Sequence, residues 1–337
     1  MDIPPAPVID FDKKRTNKKL VTKGDDVYKQ TMTAYKFWEE KIPWSRLESV
    51  QLTDNRESGV FFVEIHQNQC AVIKSCSSLA NEVFAGELAR ALGLSVPRAQ
   101  LIEYSSSEWG DVRYYVEQKS GANHRKVQKD LNRAFFFILE YVANSTSVDQ
   151  VAAESNQIFT SESFLLDLGR LFVFDILTNN QDRIPVGDLW CNEGNPGNVL
   201  VCLSETPHIV AIDNSFTRIL SDVKKEQYLQ RVSQCVQQLF HSPFNISNKY
   251  LQSIVQFLKI YTTVDLDKES VLLIMKGARQ MYSSICELSF DEFVTLKMGV
   301  DNMKTGNDWE DVWKNSIKTI DLDFLCELIS TFKRDNS

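Results

Sequence analysis

Three polar residues in one short stretch of this sequence have the types and the spacing of a phosphoryl-transfer site. Asp182 and Asn198 lie in polar loops, and Asp213 follows the apolar run of residues 209–212. A carboxylate can accept or orient the proton of an attacking hydroxyl, while an amide oxygen and a second carboxylate can hold a metal against nucleotide phosphates. Magnesium takes hard oxygen donors of this kind. We therefore predict Asp182 as a catalytic base and Asn198 and Asp213 as Mg²⁺ ligands.

Two short apolar runs would position these ligands. Asn198 directly precedes residues 199–201, and Asp213 directly follows residues 210–212, so two paired strands would bring the metal ligands together. A single Asn or Asp in a loop more often forms a turn or caps a helix, so only the combination favours a metal site. Arg183, beside the base, has two possible roles: offsetting the charge of a phosphoryl group or forming a structural ion pair.

A lysine upstream could contact the phosphates. Lys74 ends the β-branched run of residues 72–74, and kinase folds place their phosphate-contacting lysine on the third strand of the small lobe. The alternative is an edge-strand lysine that faces water. Its carboxylate partner should lie on the following helix, where Glu82 and Glu87 are candidates. They project about 140° apart and cannot both face Lys74, so helical geometry leaves the choice open.

Backbone groups at two further places could contact a nucleotide. The amides of Ser58 and Gly59, in the turn before an apolar strand, could bind phosphate, although a plain hairpin accounts for the same residues. Glu140 and Val142 end a strongly apolar segment that resembles a lobe hinge. Their backbone could offer adenine one carbonyl and one N–H group, and the alternative is a buried strand.

Periodicity and turn residues predict a β-rich half followed by a helix-rich half. The predicted strands are residues 50–52, 59–65, 70–74, 98–104 and 112–118, and the predicted helices are residues 26–42, 79–92 and 161–178, with almost continuous helix after residue 222. We predict an α+β fold of two lobes. Residues 1–142 would form an N-terminal arm and a nucleotide-binding lobe, and residues 143–337 a catalytic and substrate-binding lobe. Trp309 and Trp313 are predicted to pack in the core of the helical lobe.

Composition excludes several other classes. The 337 residues carry a net charge of −8, which disfavours bulk attraction to nucleic acid or anionic membranes. No apolar run approaches the ~20 residues needed to span a bilayer. Seven scattered cysteines without a Cys-x-x-Cys pair indicate reduced thiols, and residues 1–5 do not resemble a signal peptide. We expect a cytoplasmic chain whose basic residues 13–23 form a solvated arm or, alternatively, dock an acidic partner.

The order of these parts resembles the atypical branch of the protein kinase-like superfamily. One motif is similar to the catalytic loop of phosphoinositide 3-kinase-like and bacterial toxin-type kinases: Asn179-x-x-Asp182-Arg183 with a later Gly197-Asn198. Another is similar to the helix and turn of the toxin-type kinases: Glu82-x5-Leu88-Ala89 with Gly93-Leu94-x-Val96-Pro97. In that pattern the first glutamate pairs with the strand lysine, so the resemblance favours Glu82. Over its whole length the chain most resembles the actin-fragmin kinase catalytic family.

The resemblance implies ATP and Mg²⁺ as cofactors and phosphorylation of a threonine or serine of actin held in complex with fragmin. It also implies the two-lobed protein kinase-like fold, a monomer and a place at the actin cytoskeleton. Two other activities stay open: a lipid or small-molecule kinase, which shares the Asn-x-x-Asp-Arg pattern, and a non-catalytic nucleotide-binding cytoskeletal module.

The sequence also departs from ordinary protein kinases. No His-Arg precedes Asp182, and fifteen residues separate it from Asn198 where ordinary kinases have four. Asp213-Asn214-Ser215 replaces Asp-Phe-Gly, and no Ala-Pro-Glu follows. These differences argue against an ordinary activation segment and favour recognition of a folded protein surface.

Overall fold

The computed structural model describes residues 32–52, 59–75, 79–103, 106–121, 124–132, 135–151, 153–190, 192–303 and 310–334. The N-terminal lobe is built on a six-stranded sheet with the order β2-β3-β4-β6-β5, and β1 pairs in parallel with β4. Its strands are β1 (Thr33–Ala34), β2 (Ser49–Leu52), β3 (Gly59–Ile65), β4 (Gln69–Ser75), β5 (Ala99–Glu103) and β6 (Phe135–Glu140). Its helices are α1 (Leu79–Ala91), α2 (Ser107–Lys119) and α3 (His124–Leu131).

Alternating side chains give this sheet two buried faces, because successive residues of a strand point to opposite sides. In β6, Phe135 and Phe137 belong to the large core that contains α1, whereas Phe136 and Ile138 belong to a second core. The second core also includes buried residues of α2 and α3. The sheet is therefore covered on both faces by helices, and its central strands are almost entirely apolar.

The C-terminal lobe is mostly helical. It contains a small antiparallel sheet with strands β7 (Ser145–Ser147), β8 (Val199–Cys202) and β9 (His208–Ala211). Its helices are α4 (Glu162–Thr178), α5 (Asp222–Val236), α6 (Lys249–Thr262), α7 (Lys268–Glu287), α8 (Phe290–Asp301), α9 (Glu310–Ile317) and α10 (Leu322–Lys333). Helices α8 and α9 pack against α1, so the end of the chain returns to the N-terminal lobe. None of the helices described here has both the length and the apolar character that a membrane crossing needs.

Helices α4 and α7 form the centre of the C-terminal lobe and approach each other through two glycines. A Cβ placed on Gly169 would lie 1.9 Å from the carbonyl oxygen of Ile274, and one on Gly277 would lie 2.0 Å from that of Leu166. Backbone therefore touches backbone at both positions, and no residue with a side chain fits either one without separating the helices.

The two-lobed α+β fold is confirmed, and so are the strands at 59–65 and 70–74 and the helix predicted over 161–178. The strand predicted over 112–118 was wrong, because these residues lie in α2. Trp109, Val112 and Val116 form its buried stripe, while Tyr114 stays 59% exposed; this spacing fits a helix and not a strand. The helix predicted over 26–42 was also wrong for the described residues 32–42, which contain strand β1 and turns.

Candidate functional site

Lys74 lies on β4, which pairs with β3 on one side and β6 on the other, and its side chain is only 7% exposed. Its Nζ donates to Glu82 Oε1 over 2.6 Å and to Asp213 Oδ1 over 2.5 Å. Glu82 lies on α1, and Asp213 lies just beyond β9, so one ammonium group links the two lobes. The structure thus joins three of the predicted site residues directly.

The carboxylates of Glu82 and Asp213 keep Lys74 protonated. Burial alone would lower the pKa of Lys74, but the nearby charges of Glu82 and Asp213, and their hydrogen bonds, outweigh it and leave the pKa raised. The side chain is therefore a firmly protonated cation at neutral pH. A cation fixed in this way can neutralise phosphate charge without first being reorganised.

The two glutamates of α1 have different partners. Glu82 forms an ion pair with Lys74, whereas Glu87 forms one with Arg90, three residues further along the helix. Arg90 also donates to the carbonyl oxygen of Pro97 over 3.1 Å. The structure thus places Glu82, and not Glu87, beside the strand lysine.

The loop that carries Asp182 begins where α4 ends. Asn179 takes a left-handed conformation (φ 51°) after the last turn, which Asn tolerates better than most residues. Its side chain donates to the carbonyl oxygen of Thr217 over 3.0 Å and accepts from Trp190 Nε1 over 2.9 Å. Asn180 Oδ1 accepts from Ser215 Oγ over 3.2 Å. These amides tie the loop to the segment after Asp213.

Asp182 is exposed, and amide groups surround it. Asn198 Nδ2 donates to the Asp182 carbonyl oxygen over 2.8 Å and to its Oδ2 over 3.2 Å. Asn195 Nδ2 lies 3.4 Å from both carboxylate oxygens. Asn198 uses only its amide nitrogen in these bonds, and no hydrogen bond among the described residues uses its Oδ1, the oxygen that a metal would need.

The long spacing between Asp182 and Asn198 is closed by packing. The backbone N–H of Asn195 donates to the carbonyl oxygen of Arg183 over 2.8 Å, which brings the two ends of the insertion together. The insertion is anchored by four buried side chains: Ile184, Val186, Leu189 and Trp190. The insertion, eleven residues longer than the four-residue spacing of ordinary kinases, therefore packs into the C-terminal lobe. It leaves Asp182 and Asn198 in direct contact.

Arg183 is completely buried and serves as a structural centre. Its guanidinium lies 2.8 Å from Asp175 Oδ1 and donates to the carbonyl oxygen of Ile212 and to Asn214 Oδ1, both over 2.7 Å. Burial raises the pKa of Asp175 to about 7, and the guanidinium charge works against that rise. Of the two roles open for Arg183, the structure shows the ion pair, and the side chain fixes the residues on either side of Asp213.

Strands β8 and β9 bring the proposed metal ligands to one end of the small sheet. Val199 pairs with Ala211, so Asn198 and Asp213 flank the same end of the ladder. Asp213 has a positive φ of 52°, a conformation that Asp adopts more readily than most residues. The described residues include no group of three His, Cys, Asp or Glu side chains suited to a metal, so nucleotide oxygens would have to complete a magnesium shell.

A family model described as actin-fragmin kinase, catalytic, matches residues 27–281 of this chain. The chain belongs to this kinase family. It is 25% identical over 310 residues to a provisionally named actin-fragmin kinase of Dictyostelium discoideum, covering 86% of this chain and 73% of the relative. A second relative from that organism, with the same provisional name, is 23% identical and covers 77% of this chain and 62% of its own length. The chain thus corresponds to part of each relative.

Among solved structures, the chain is similar to the Helicobacter pylori proinflammatory kinase CtkA. The TM-score is 0.38 at 13% identity, and the match covers 85% of this chain and 95% of the other. The family membership and the two-lobed architecture together identify this chain as a kinase of the protein kinase-like fold.

In this kinase, the predicted nucleotide contacts are placed as follows. Gly59 begins β3 and pairs with Ser75, and Ser58 lies outside the described residues. Glu140 ends β6, and its backbone N–H donates to the carbonyl oxygen of Arg98 over 2.9 Å, so only its carbonyl could contact adenine. The N–H of Val142 makes no backbone hydrogen bond to any described residue, while its carbonyl accepts from Ser145.

Several asparagines were missed as site residues by the sequence reasoning. Asn180, Asn195 and Asn214 hold the loop around Asp182 and the Asp213 segment through their side chains, as described above, and Asn81 of α1 binds the backbone of Phe216. The available signal was the unusual density of asparagine between residues 179 and 214, because turn-forming amides cluster where irregular backbone must be held.

Proposed function

We propose that this kinase is an ATP- and magnesium-dependent protein threonine/serine kinase that phosphorylates actin in complex with fragmin, at the cytoplasmic actin cytoskeleton. The substrate comes from the name of the family model and of the relatives. One observation carries the chemical part: Lys74 contacts Glu82 and Asp213 within 2.6 Å, and Asn198 contacts Asp182. These contacts support the proposal, because a phosphoryl-transfer site needs residues of these types near one another.

The donor set fits Mg²⁺ bound with ATP. Asp213 and the free amide oxygen of Asn198 are hard oxygen donors, and a magnesium ion bound by one or two protein groups usually shares its remaining positions with phosphates and water. Magnesium would supply positive charge that stabilises the transferring phosphoryl group. Lys74 would contact the nucleotide phosphates, and the backbone of Glu140, Val142, Gly59 and Ser58 would hold the rest of the nucleotide.

The chain's own residues would then prepare the acceptor hydroxyl. Asp182 is exposed, so a threonine or serine side chain of a folded substrate can reach it. Donors from Asn195 and Asn198 orient the carboxylate, and Asp182 would accept the proton that leaves the attacking oxygen. Arg183 is completely buried against Asp175, so it would support the loop and not contact the phosphoryl group.

The substrate can be tested with labelled ATP and three acceptors: the actin–fragmin complex, actin alone and phosphoinositide vesicles. We expect label on threonine or serine of actin in the complex, less on actin alone, and none after excess EDTA until magnesium is restored. Label on lipid alone would replace the proposal with a lipid kinase. A chain that neither binds Mg-ATP at millimolar concentration nor labels any acceptor would be a non-catalytic module.

The catalytic base is tested by Asp182→Asn. A general base contributes typically ~10²–10⁴-fold, so we expect turnover to fall at least about 100-fold while the affinity for Mg-ATP persists. The matched control is Asp265→Asn, the same change at a side chain that is 77% exposed and pairs with Lys259 on the surface. Turnover near the unmodified level in Asp182→Asn would rule out this residue as the base.

A further inference from the structure

The C-terminal residues of the chain contact the start of the helix that carries Glu82. Helix α1 begins at Leu79, so the N–H of Ala80 is one of the four that the helix itself cannot satisfy. It donates to Ser316 Oγ over 3.2 Å, from the last turn of α9. Trp313, only 1% exposed, packs its ring 5.3 Å from that of Phe135 in β6. A distant part of the sequence thus caps this helix.

Asn81, the residue before Glu82, joins α1 to the segment that follows Asp213. Its Nδ2 donates to the carbonyl oxygen of Phe216 over 2.8 Å, and its Oδ1 accepts from the Phe216 N–H over 2.7 Å. The same Nδ2 lies 3.2 Å from Thr319 Oγ1. The side chain is 6% exposed, so these bonds form away from water, and together they fix both the position and the rotation of the helix.

The C-terminal segment is itself anchored on the other lobe. Asp321, which caps α10, accepts from Lys225 of α5 over 2.7 Å. Phe324 packs against Phe216 and Tyr228 with ring centroids 6.3 Å and 6.1 Å apart. The turn between α9 and α10 therefore lies between α1, α5 and the segment after Asp213. The match to the family model ends at residue 281, before this turn begins.

We propose that Asn81 is a positioning residue that holds Glu82 against Lys74. The C-terminal segment contributes to this positioning through Ser316, which binds the start of α1, and Thr319, which contacts Asn81. This inference rests on the roles proposed above for Glu82 and Lys74. The reason is geometric. A helix can rotate or slide unless both its end and its side are held, and Ser316 holds the end while Asn81 holds the side. The bonded backbone of Phe216 follows Asp213 by three residues, so the same contacts align both partners of Lys74.

The test measures the reactivity of Lys74 and needs neither ATP nor actin. The Lys74 side chain is only 7% exposed, so an acylating reagent reaches it only when the contacts around it open, and the rate of labelling can be followed by mass spectrometry of the full chain. Loss of the Glu82 contact removes one of the two carboxylate bonds that hold the side chain in place, so Lys74 becomes accessible more often. We therefore expect Glu82→Gln to accelerate labelling several-fold, and Asn81→Ala to approach the same rate.

Two further variants keep the test independent of folding defects. Ser316→Ala removes one hydroxyl, and we expect it to accelerate labelling several-fold. Its matched control is Ser106→Ala, which removes the serine cap of α2. For Asn81→Ala the control is Asn248→Ala, which removes two side-chain bonds to backbone N–H groups at the start of α6. Both controls should label Lys74 at the unmodified rate.

A double variant with both Asn81→Ala and Glu82→Gln measures whether the two residues act together. If Asn81 acts through Glu82, Asn81→Ala adds little to the labelling rate of Glu82→Gln. Labelling at the unmodified rate in both Asn81→Ala and Ser316→Ala would overturn the proposal, and so would full additivity with Glu82→Gln or no acceleration by Glu82→Gln itself. None of these results depends on whether actin is phosphorylated, so failure of the proposed substrate is seen separately.

Discussion

The contact of α4 with α7 gives a sharp prediction about stability. Gly277→Ala adds one methyl group to α7, where the new Cβ would lie 2.0 Å from the carbonyl oxygen of Leu166. An ordinary contact begins at 3.4 Å, so the two helices must separate by about 1.4 Å, the difference between these distances. The obstructing atom belongs to the backbone and cannot rotate away, and the separation weakens dispersion contacts along both helices.

The size of the effect follows from two opposing contributions. Overpacking a core costs typically ~1–3 kcal/mol and occasionally more, and a backbone clash places this site at about 3 kcal/mol. Alanine is the better helix former by about 1 kcal/mol, so we expect the free energy of unfolding to fall by about 2 kcal/mol. Gly110→Ala is the matched control, because a Cβ there meets nothing within 4 Å, and it should stabilise the chain by about 0.8 kcal/mol.

Thermal unfolding followed by circular dichroism distinguishes the two variants. For a chain of 337 residues, a loss of about 2 kcal/mol lowers Tm by about 3 °C, whereas Gly110→Ala should raise Tm slightly. A Tm for Gly277→Ala at or above that of the unmodified chain would show that the helices are not held by backbone contact. An equal fall in both variants would show that the close approach has no special role.

Two further predictions concern the site. Arg183→Met leaves Asp175 buried without its cation, so the free energy of unfolding should fall by about 3–5 kcal/mol. Replacing Asp175 by Asn in the same chain should recover part of the lost Tm, and no recovery would contradict a buried ion pair. Glu82→Gln weakens a charge-assisted bond worth ~1.5–3 kcal/mol, so kcat/KM should fall about 10–100-fold. Glu87→Gln makes the same chemical change and should leave kcat/KM unaltered, so equal losses would contradict the role of Glu82 as the partner of Lys74.

Local patterns predicted the elements whose partners lie close in sequence. The apolar, β-prone composition of 59–65, the helical periodicity of 161–178 and the two short runs beside Asn198 and Asp213 are local signals, and the structure contains the element that each one predicts. The order of lobes followed from the same patterns. The roles of Asp182, Asn198 and Asp213 in catalysis stay predictions, because geometry brings them together without showing the reaction.

The features that could not be predicted depend on partners far along the chain. Residues 112–118 alternate well enough for a strand, and only the sheet that buries Val112 and Val116 selects a helix. The buried role of Arg183 requires Ile212 and Asn214, about thirty residues away. No local signal could show that Ser316 caps α1, since that bond joins positions 236 residues apart.

The loop around Asp182 is held chiefly by uncharged amides. Asn179, Asn180, Asn195 and Asn198 neither gain nor lose protons in the physiological range, and neutral dipoles are much less sensitive to dissolved salt than ion pairs. The amide bonds of this loop should therefore be almost independent of ionic strength and acidity. The group behind the loop that does titrate near neutrality is Asp175, whose pKa burial raises to about 7, so a change of turnover near pH 7 would report on the Asp175–Arg183 pair as well as on the reacting groups.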